Sequence, residues 1–414
     1  MSAVDRLICH VLPNAHLIAL VSAGRLVELQ VVRRDKPSLV EGVFLGRIER
    51  VMAELDAAFV DIGTGRSGFL RAEDRAGIDG WPPLGAPVLV QVRADSESGG
   101  RASGKGPRLS MNIAVTGRYL VFHPVGSGVG FSRRIENESE KERLRGHVER
   151  LLGGDLLEGG VVVRTAAAGA PAELLQSEAA QLMERWEKIR REALSGAAPA
   201  DLSGRIPGER DPLARALRDH GAALEEAIVD DRGLARALQD EMDRRREKIR
   251  VRWHSGPMPA FDIDDVAGQI DTALSARIVL ESGVEVLFEP GETLCAIDVD
   301  SAGAGGRQGR APRRAVDVNL EAAPAIAQQL RLRNISGAVV VDFVSMRSNF
   351  DRDKVQAALA ECLNDDPAPT QLYGFTRLGL FELTRARRGP TLAAELEALE
   401  KGEGSKGEGS KEDE

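Results

Sequence analysis

A chain of 414 residues, 43% apolar and 29% charged, is long enough for two or more domains with cores of their own and reads as a soluble globular protein. A formal charge of −9 and an isoelectric point near 5.5 exclude nucleic-acid binding by bulk charge, so such a site has to be a local basic patch or carry a cation. Three cysteines (Cys9, Cys295, Cys362), none in a CxxC spacing, indicate neither a disulfide framework nor a zinc site, and a reducing cytoplasm fits best.

The N-terminal segment is apolar in places, but Asp5, Arg6, His10, Pro13 and Asn14 interrupt it, so it is no signal peptide, and no apolar run is long enough to cross a membrane. LIALV and LVELQVV predict strands on either side of a turn at Ser22-Ala23-Gly24. From Val43 to about Ile113, five short strand patterns (VFLGRIERV, AAFVDIG, SGFL, PVLVQVR, LSMNI) alternate with glycine turns and predict a small closed barrel of the OB type. A mobile loop is expected over Ser98 to Pro107. RYLVFHP and GVVVRT are strand candidates around a charged helix from Glu138 to Leu152, and a second helix runs from Ala172 to about Leu194. SGAAPADLSGRIPGERDP reads as a linker, and the alternating charge over 213–250 as solvated helix. Residues 274–395 alternate strand and helix. The tail repeats KGEGS, cannot bury a core and is expected to be disordered.

Within the last large segment, LCAIDV and AVVVDF are continuous apolar runs, as in strands buried on both faces, each ending on one carboxylate, Asp298 and Asp342. Between them, Leu320, Ala323, Ala327 and Leu330 share a helix face, with Asn319 as its N-cap and Pro324 in its first turns. A strand–helix–strand unit is right-handed and makes the two strands parallel, so both carboxylates reach the same sheet edge. Adjacent strands lie about 4.8 Å apart, close enough for the two acids to share one ion. Mg2+ takes such a set: one or two carboxylates, several waters and phosphate oxygens. The plain alternative is that each Asp caps the turn that follows. Asp300 projects to the same face as Asp298. The intervening loop carries Arg307, Arg310, Arg313 and Arg314, either phosphate binders or a solvated glycine loop.

Other candidates are more scattered. Phe59 and Phe69 on barrel strands are either core or a platform for unpaired bases, with Arg66 and Lys105 in reach of phosphate. Arg164-Thr165 ends the strand VVV, and a guanidinium beside a hydroxyl can hold a terminal phosphate. Arg133 and Arg134 lie upstream in SRRIE.

Taken in order, EGVFLGRIERV, AAFVDIG, RSGFL, FSRRIE, VVVRTAAAG, LCAIDVDS, VNLEAAPAIAQQLRLRNISGAVVVDF and FELTRAR resemble the ribonuclease E/G family over nearly the whole chain to about residue 390, in a short, ribonuclease G-like form. The resemblance implies a multidomain α/β and α+β protein. Its parts would be an RNase H-like subdomain (1–37 with 208–273), an S1 RNA-binding barrel (38–112), a 5′-sensor region (113–207), a DNase I-like catalytic domain (274–395) and a disordered tail (396–414). It implies a cytoplasmic, Mg2+-dependent endoribonuclease acting on single-stranded RNA and leaving 5′-monophosphates, with Mn2+ as a substitute. Asp298 and Asp342 would bind the metal and, with Asp300, form the catalytic set. Phe59, Phe69, Lys105, Arg133 and Arg134 would contact RNA, and Arg164 and Thr165 the 5′-monophosphate. Two departures stand out. The family usually has Asn where this chain has Asp300, and an ionised Asp cannot donate a hydrogen bond to phosphate; the alternative is an RNA-binding regulator or weakened pseudoenzyme. The CPxC zinc-link is missing, so no zinc is expected, and any homodimer would pair through the DNase I-like domain.

Overall fold

The structure, a computed structural model, describes residues 4–35, 37–77, 79–95, 106–153, 159–203, 212–221, 223–245, 247–301, 314–364, 366–387 and 389–404. The chain gathers into two compact units, Met1–Pro37 with Ala223–Glu414, and Ser38–Ala222. The first opens with an antiparallel meander of β1 (Arg6–Val11), β2 (Ala15–Ser22) and β3 (Arg25–Arg33). The turn expected at Ser22-Ala23-Gly24 joins β2 to β3, with φ +48° at Ala23 and +75° at Gly24. Left-handed backbone at both central positions matches the twist of a two-residue hairpin.

The second unit begins with β4 (Val43–Met52), β5 (Ala57–Asp61), β6 (Gly68–Arg71), β7 (Pro87–Ala94) and β8 (Arg108–Ser110). Pairing runs β4-β5-β6-β8-β7 and returns from β7 to β4, so the five strands close into a barrel. Phe44, Ile48, Val60, Leu70, Val90 and Leu109 are among the side chains that fill it. Closure brings β8 so near β6 that a Cβ on Gly68 would collide with Leu109.

A four-stranded sheet follows, built from β9 (Val115–Thr116), β10 (Leu120–His123), β11 (Gly128–Phe131) and β12 (Gly160–Val163), in the order β11-β12-β10-β9. Helices α1 (Glu138–Gly153) and α2 (Ala172–Ser195) close its core through Leu144, Val148, Leu175 and Leu182. The segment expected to be a linker is partly structured: β13 (Ala200–Asp201) pairs with β4 on the barrel. Helix α3 (Pro212–His220) groups with this unit, whereas the resemblance places residues from 208 on with the RNase H-like subdomain. Its Arg218 bonds Glu41 and its Asp219 bonds Arg164, so ion pairs hold it to the barrel and to the four-stranded sheet.

The first unit resumes with β14 (Glu226–Val229), α4 (Arg232–Arg245), β15 (Arg250–Trp253) and α5 (Val266–Leu274). The helical reading of 213–250 holds for α3 and α4 and fails at β14, which lies between them. Ala227-Ile228-Val229 is buried and pairs in parallel with β1, and this tertiary pairing overrides the helical look of the surrounding charges.

The remaining elements are β16 (Arg277–Val279), β17 (Glu285–Pro290), β18 (Leu294–Asp300), α6 (Ala315–Leu332), β19 (Gly337–Asp342), α7 (Asn349–Leu363), β20 (Thr370–Phe375), β21 (Phe381–Arg385) and α8 (Leu392–Gly404). Six strands form one sheet in the order β16-β17-β18-β19-β21-β20, with β18 and β19 its parallel pair. Helix α6 starts at Ala315, four residues before the expected cap, which puts Pro324 in the helix interior. It is buried nearly all round, because Gln328 and Arg331 on its far side bond the Leu26 carbonyl and Glu28 of β3.

Residues 396–404, expected to begin a disordered tail, continue α8. Leu392 and Leu399 are buried beside Ala15, Leu17 and Leu29 of the meander, which supplies the apolar contact that composition alone does not reveal. Residues 405–414 and most of the Ser98–Pro107 stretch lie outside the described residues. Among the described residues no helix is long and apolar enough to cross a membrane.

Candidate functional site

The parallel register of β18 and β19 sets Asp298 directly opposite Asp342 on the last shared rung. Both strands alternate: Cys295, Ile297, Val299, Val339 and Val341 are buried in the core shared with α6 and α7, while Asp298, Asp300 and Asp342 are exposed. The expectation of strands buried on both faces is thereby corrected. Helices cover one face of the sheet, and the aspartates stand on the other. At about 4.8 Å between strands, two carboxylates repel by roughly 1 to 3 kcal/mol, from water-like to surface-like dielectric. The Asp298 carboxyl is pushed above its ordinary value, first by partial burial and then by Asp342, Asp300 and Glu289, with Arg277 opposing. Since the side chain is open to solvent, the crowding of negative charge is the more telling part, and a cation would relieve it.

Asp300 sits two residues on, opposite Glu285 rather than opposite a residue of β19. Among the described residues no group of three or more His, Cys, Asp or Glu is arranged to hold a metal ion. A cation here would thus rest on Asp298 and Asp342, with water and substrate completing its shell. That all-oxygen set fits Mg2+ and does not resemble a closed zinc site.

What holds Asp342 in place was not legible. Asn319, expected to cap α6, is fully buried one turn inside it. Its amide donates to the Val344 carbonyl at 2.8 Å and accepts from the Val344 N–H at 3.0 Å, clamping the backbone just past Asp342. From Asp342 a cleft of about 130 Å3 runs between Met346, Arg352, Phe375, Arg377 and Leu378. Arg352 and Arg377 line the same cleft as Asp342, and neither was singled out from sequence. Arg377 lies in the Thr376–Leu380 hairpin loop, which the Leu380 carbonyl closes by accepting the Thr376 N–H. An Arg in a hairpin at this sheet edge is the signal that could have found it. Of the arginine loop, Arg307, Arg310 and Arg313 lie outside the described residues, and Arg314 stands 3.7 Å from Asp351.

On the barrel, Phe59 and Phe69 are direct cross-strand partners with ring centroids 5.5 Å apart. They alternate with the buried Ala58, Val60 and Leu70 and are themselves only partly buried, so neither is core. The rung continues to both sides: Arg50 of β4 opposes Phe59 with its guanidinium 4.9 Å from the ring centroid, and Arg108 of β8 opposes Phe69. A row of Arg, Phe, Phe and Arg suits stacking of unpaired bases with phosphates at either side. Arg66 is exposed on the β5–β6 loop, and Lys105 lies outside the described residues.

Arg164 and Thr165 leave the end of β12. The Arg164 guanidinium donates to the Gly117 carbonyl at 2.6 Å and to Asp219 at 2.8 Å. The Thr165 hydroxyl is 2.9 Å from that of Ser132, which starts the turn carrying the exposed Arg133 and Arg134. The loop after Thr165 is held by Glu140, which accepts from Gly169 N–H and from Arg143; Arg143 foremost lowers its carboxyl to about 2. Across from Arg164, Glu178 accepts the N–H groups of Arg118, Tyr119 and Leu120, and burial raises its carboxyl despite them. A Cβ on Gly117 would come within 2.5 Å of that carboxylate and displace it from the three N–H groups it accepts.

The family model described as the ribonuclease E/G family matches residues 114–388. A ribonuclease G of Haemophilus influenzae is 34% identical over 409 residues, covering 94% of this chain and 80% of its own length. For a ribonuclease G of Escherichia coli the figures are 32% over 401 residues, 92% and 79%. A ribonuclease E of a Nostoc species is 36% identical over 398 residues, 92% of this chain and 56% of its own.

Proposed function

The chain belongs to the ribonuclease E/G family and is an endoribonuclease, and from that premise we propose that it hydrolyses single-stranded RNA with Mg2+, or Mn2+ in its place, at Asp298 and Asp342, and favours RNA with a 5′-monophosphate. The observation that carries this reading is the shared rung of Asp298 and Asp342 on an open sheet face beside Arg352 and Arg377. When bound, the ion supplies Lewis acidity and a water acidic enough to attack at neutral pH. The chain's own groups do the rest. Asp298 and Asp342 would hold the ion, Arg352 and Arg377 would bind phosphate oxygens in the cleft beside Asp342, and Asn319 keeps Asp342 fixed through the backbone it clamps. Asp300 adds charge and no donor, which slows the reaction relative to an amide at that position. The barrel, read as an S1 module, stacks bases on Phe59 and Phe69, and Arg164 with Thr165 receives the 5′ phosphate. Pairing of two copies through the β16–β21 sheet unit belongs to the same proposal.

The test is cleavage of a 5′-monophosphorylated single-stranded oligonucleotide in Mg2+ by wild type and by Asp298→Asn. Wild type is expected to cut at least a hundredfold faster, a scale of about 2.7 kcal/mol in the barrier. Equal rates sink the assignment of these carboxylates. Binding of the same RNA without cleavage by wild type would instead favour the regulator reading, in which Asp300 has weakened the chemistry.

A further inference from the structure

Helix α3 carries two adjacent charged residues, Arg218 and Asp219, in its last turn. Arg218 is nearly buried and forks onto Glu41, at 2.9 and 3.1 Å. Asp219 accepts from Arg218 at 3.0 Å and, on the same oxygen, from Arg164 at 2.8 Å. Two arginines thus share one carboxylate. Burial alone would raise the Asp219 carboxyl, but Arg218 and then Arg164 hold it below its ordinary value, so it is an anion at neutral pH.

The helix dipole alone does not favour an acid here. An acid in the last turn of a helix faces the negative end of the helix dipole, where a cation would be favoured. What the position does achieve is geometric. Gly117 O takes one terminal amine of Arg164 and Asp219 takes the other. Two anchors fix the guanidinium plane, and among the described residues nothing takes its other three N–H groups. They remain as donors for phosphate oxygens.

We infer that Asp219 is a positioning residue for 5′-phosphate recognition, holding the Arg164 guanidinium in the orientation that selects a terminal phosphate over an internal phosphodiester. This rests on the reading that Arg164 receives that phosphate. The experiment measures binding of 5′-monophosphate and 5′-hydroxyl forms of one single-stranded oligonucleotide in EDTA, so that cleavage plays no part. Asp219→Ala is expected to lower the ratio of the two affinities about tenfold, the scale of one charge-assisted hydrogen bond, while leaving 5′-hydroxyl RNA bound as well or better. Asp219→Asn, which keeps an oxygen toward Arg164 without the charge, is expected to fall between. Combined with Arg164→Ala, Asp219→Ala should lower the ratio no further than Arg164→Ala alone. An unchanged ratio in Asp219→Ala, or losses that add in the double variant, overturns the inference. If Asp219→Ala fails to melt cooperatively, Asp219→Asn decides by the same comparison, an unchanged ratio counting against it. If Arg164→Ala itself keeps the wild-type ratio, the underlying sensing reading fails, and the inference with it.

Discussion

At the scale of single residues, the chemistry turns on which side of a strand a side chain leaves. Asp298, Asp300 and Asp342 share the open face of the sheet because they are two residues apart or exactly in register across β18 and β19. Their types and spacing were legible; Arg352, Arg377 and the clamp made by Asn319 were not, since each acts through a fold contact distant in sequence. Asp300 is where a single change is most informative. Asp300→Asn removes one of the negative charges crowding Asp298 and restores a hydrogen-bond donor, so it is expected to raise kcat on single-stranded RNA several-fold, about 3- to 10-fold for one such bond, with KM little changed. A fall in kcat would show that the carboxylate itself takes part.

Among the elements, the barrel is the clearest case of sequence and structure agreeing. Short alternating runs with glycine turns foretold five strands, and pairing of β7 back onto β4 closes them. Alternation also settles Phe59 and Phe69: their neighbours Ala58, Val60 and Leu70 fill the barrel, leaving both rings on the outside. Phe59→Ala should therefore weaken binding of single-stranded RNA by about 1–3 kcal/mol while the melting temperature stays within a few degrees of wild type. A drop in melting temperature like that of a core truncation would place the ring in the core after all. Elsewhere local pattern misled. β14 has only three apolar residues between acidic pairs, and its strand identity comes from β1, more than two hundred residues earlier. Helix α6 was expected to begin at Asn319 because that residue looks like a cap, yet its amide serves Val344 instead.

For the molecule as a whole, contacts between distant parts of the chain decide where each unit ends. Leu392 and Leu399 of α8 are buried against the N-terminal meander, so the C-terminal segment completes a core begun by β1 to β3. Leu392→Ala is expected to cost about 2–5 kcal/mol, read as an earlier denaturant midpoint in equilibrium unfolding with an unchanged slope. An unaltered midpoint would mean that α8 adds nothing to that core. The sequence by itself determined the kind of protein: a two-carboxylate α/β unit, a small barrel, and residue types suited to phosphate and unpaired bases. Those features repeat over a few residues, and strand alternation or helix periodicity exposes them. Only the tertiary structure decided that α3 belongs with the barrel unit, that α8 belongs with the meander, and that Asp219 stands against Arg164. Each of these depends on pairing groups far apart in the chain, and the free energy that selects such pairs, burial and ion pairing at a folded surface, leaves no local pattern to read.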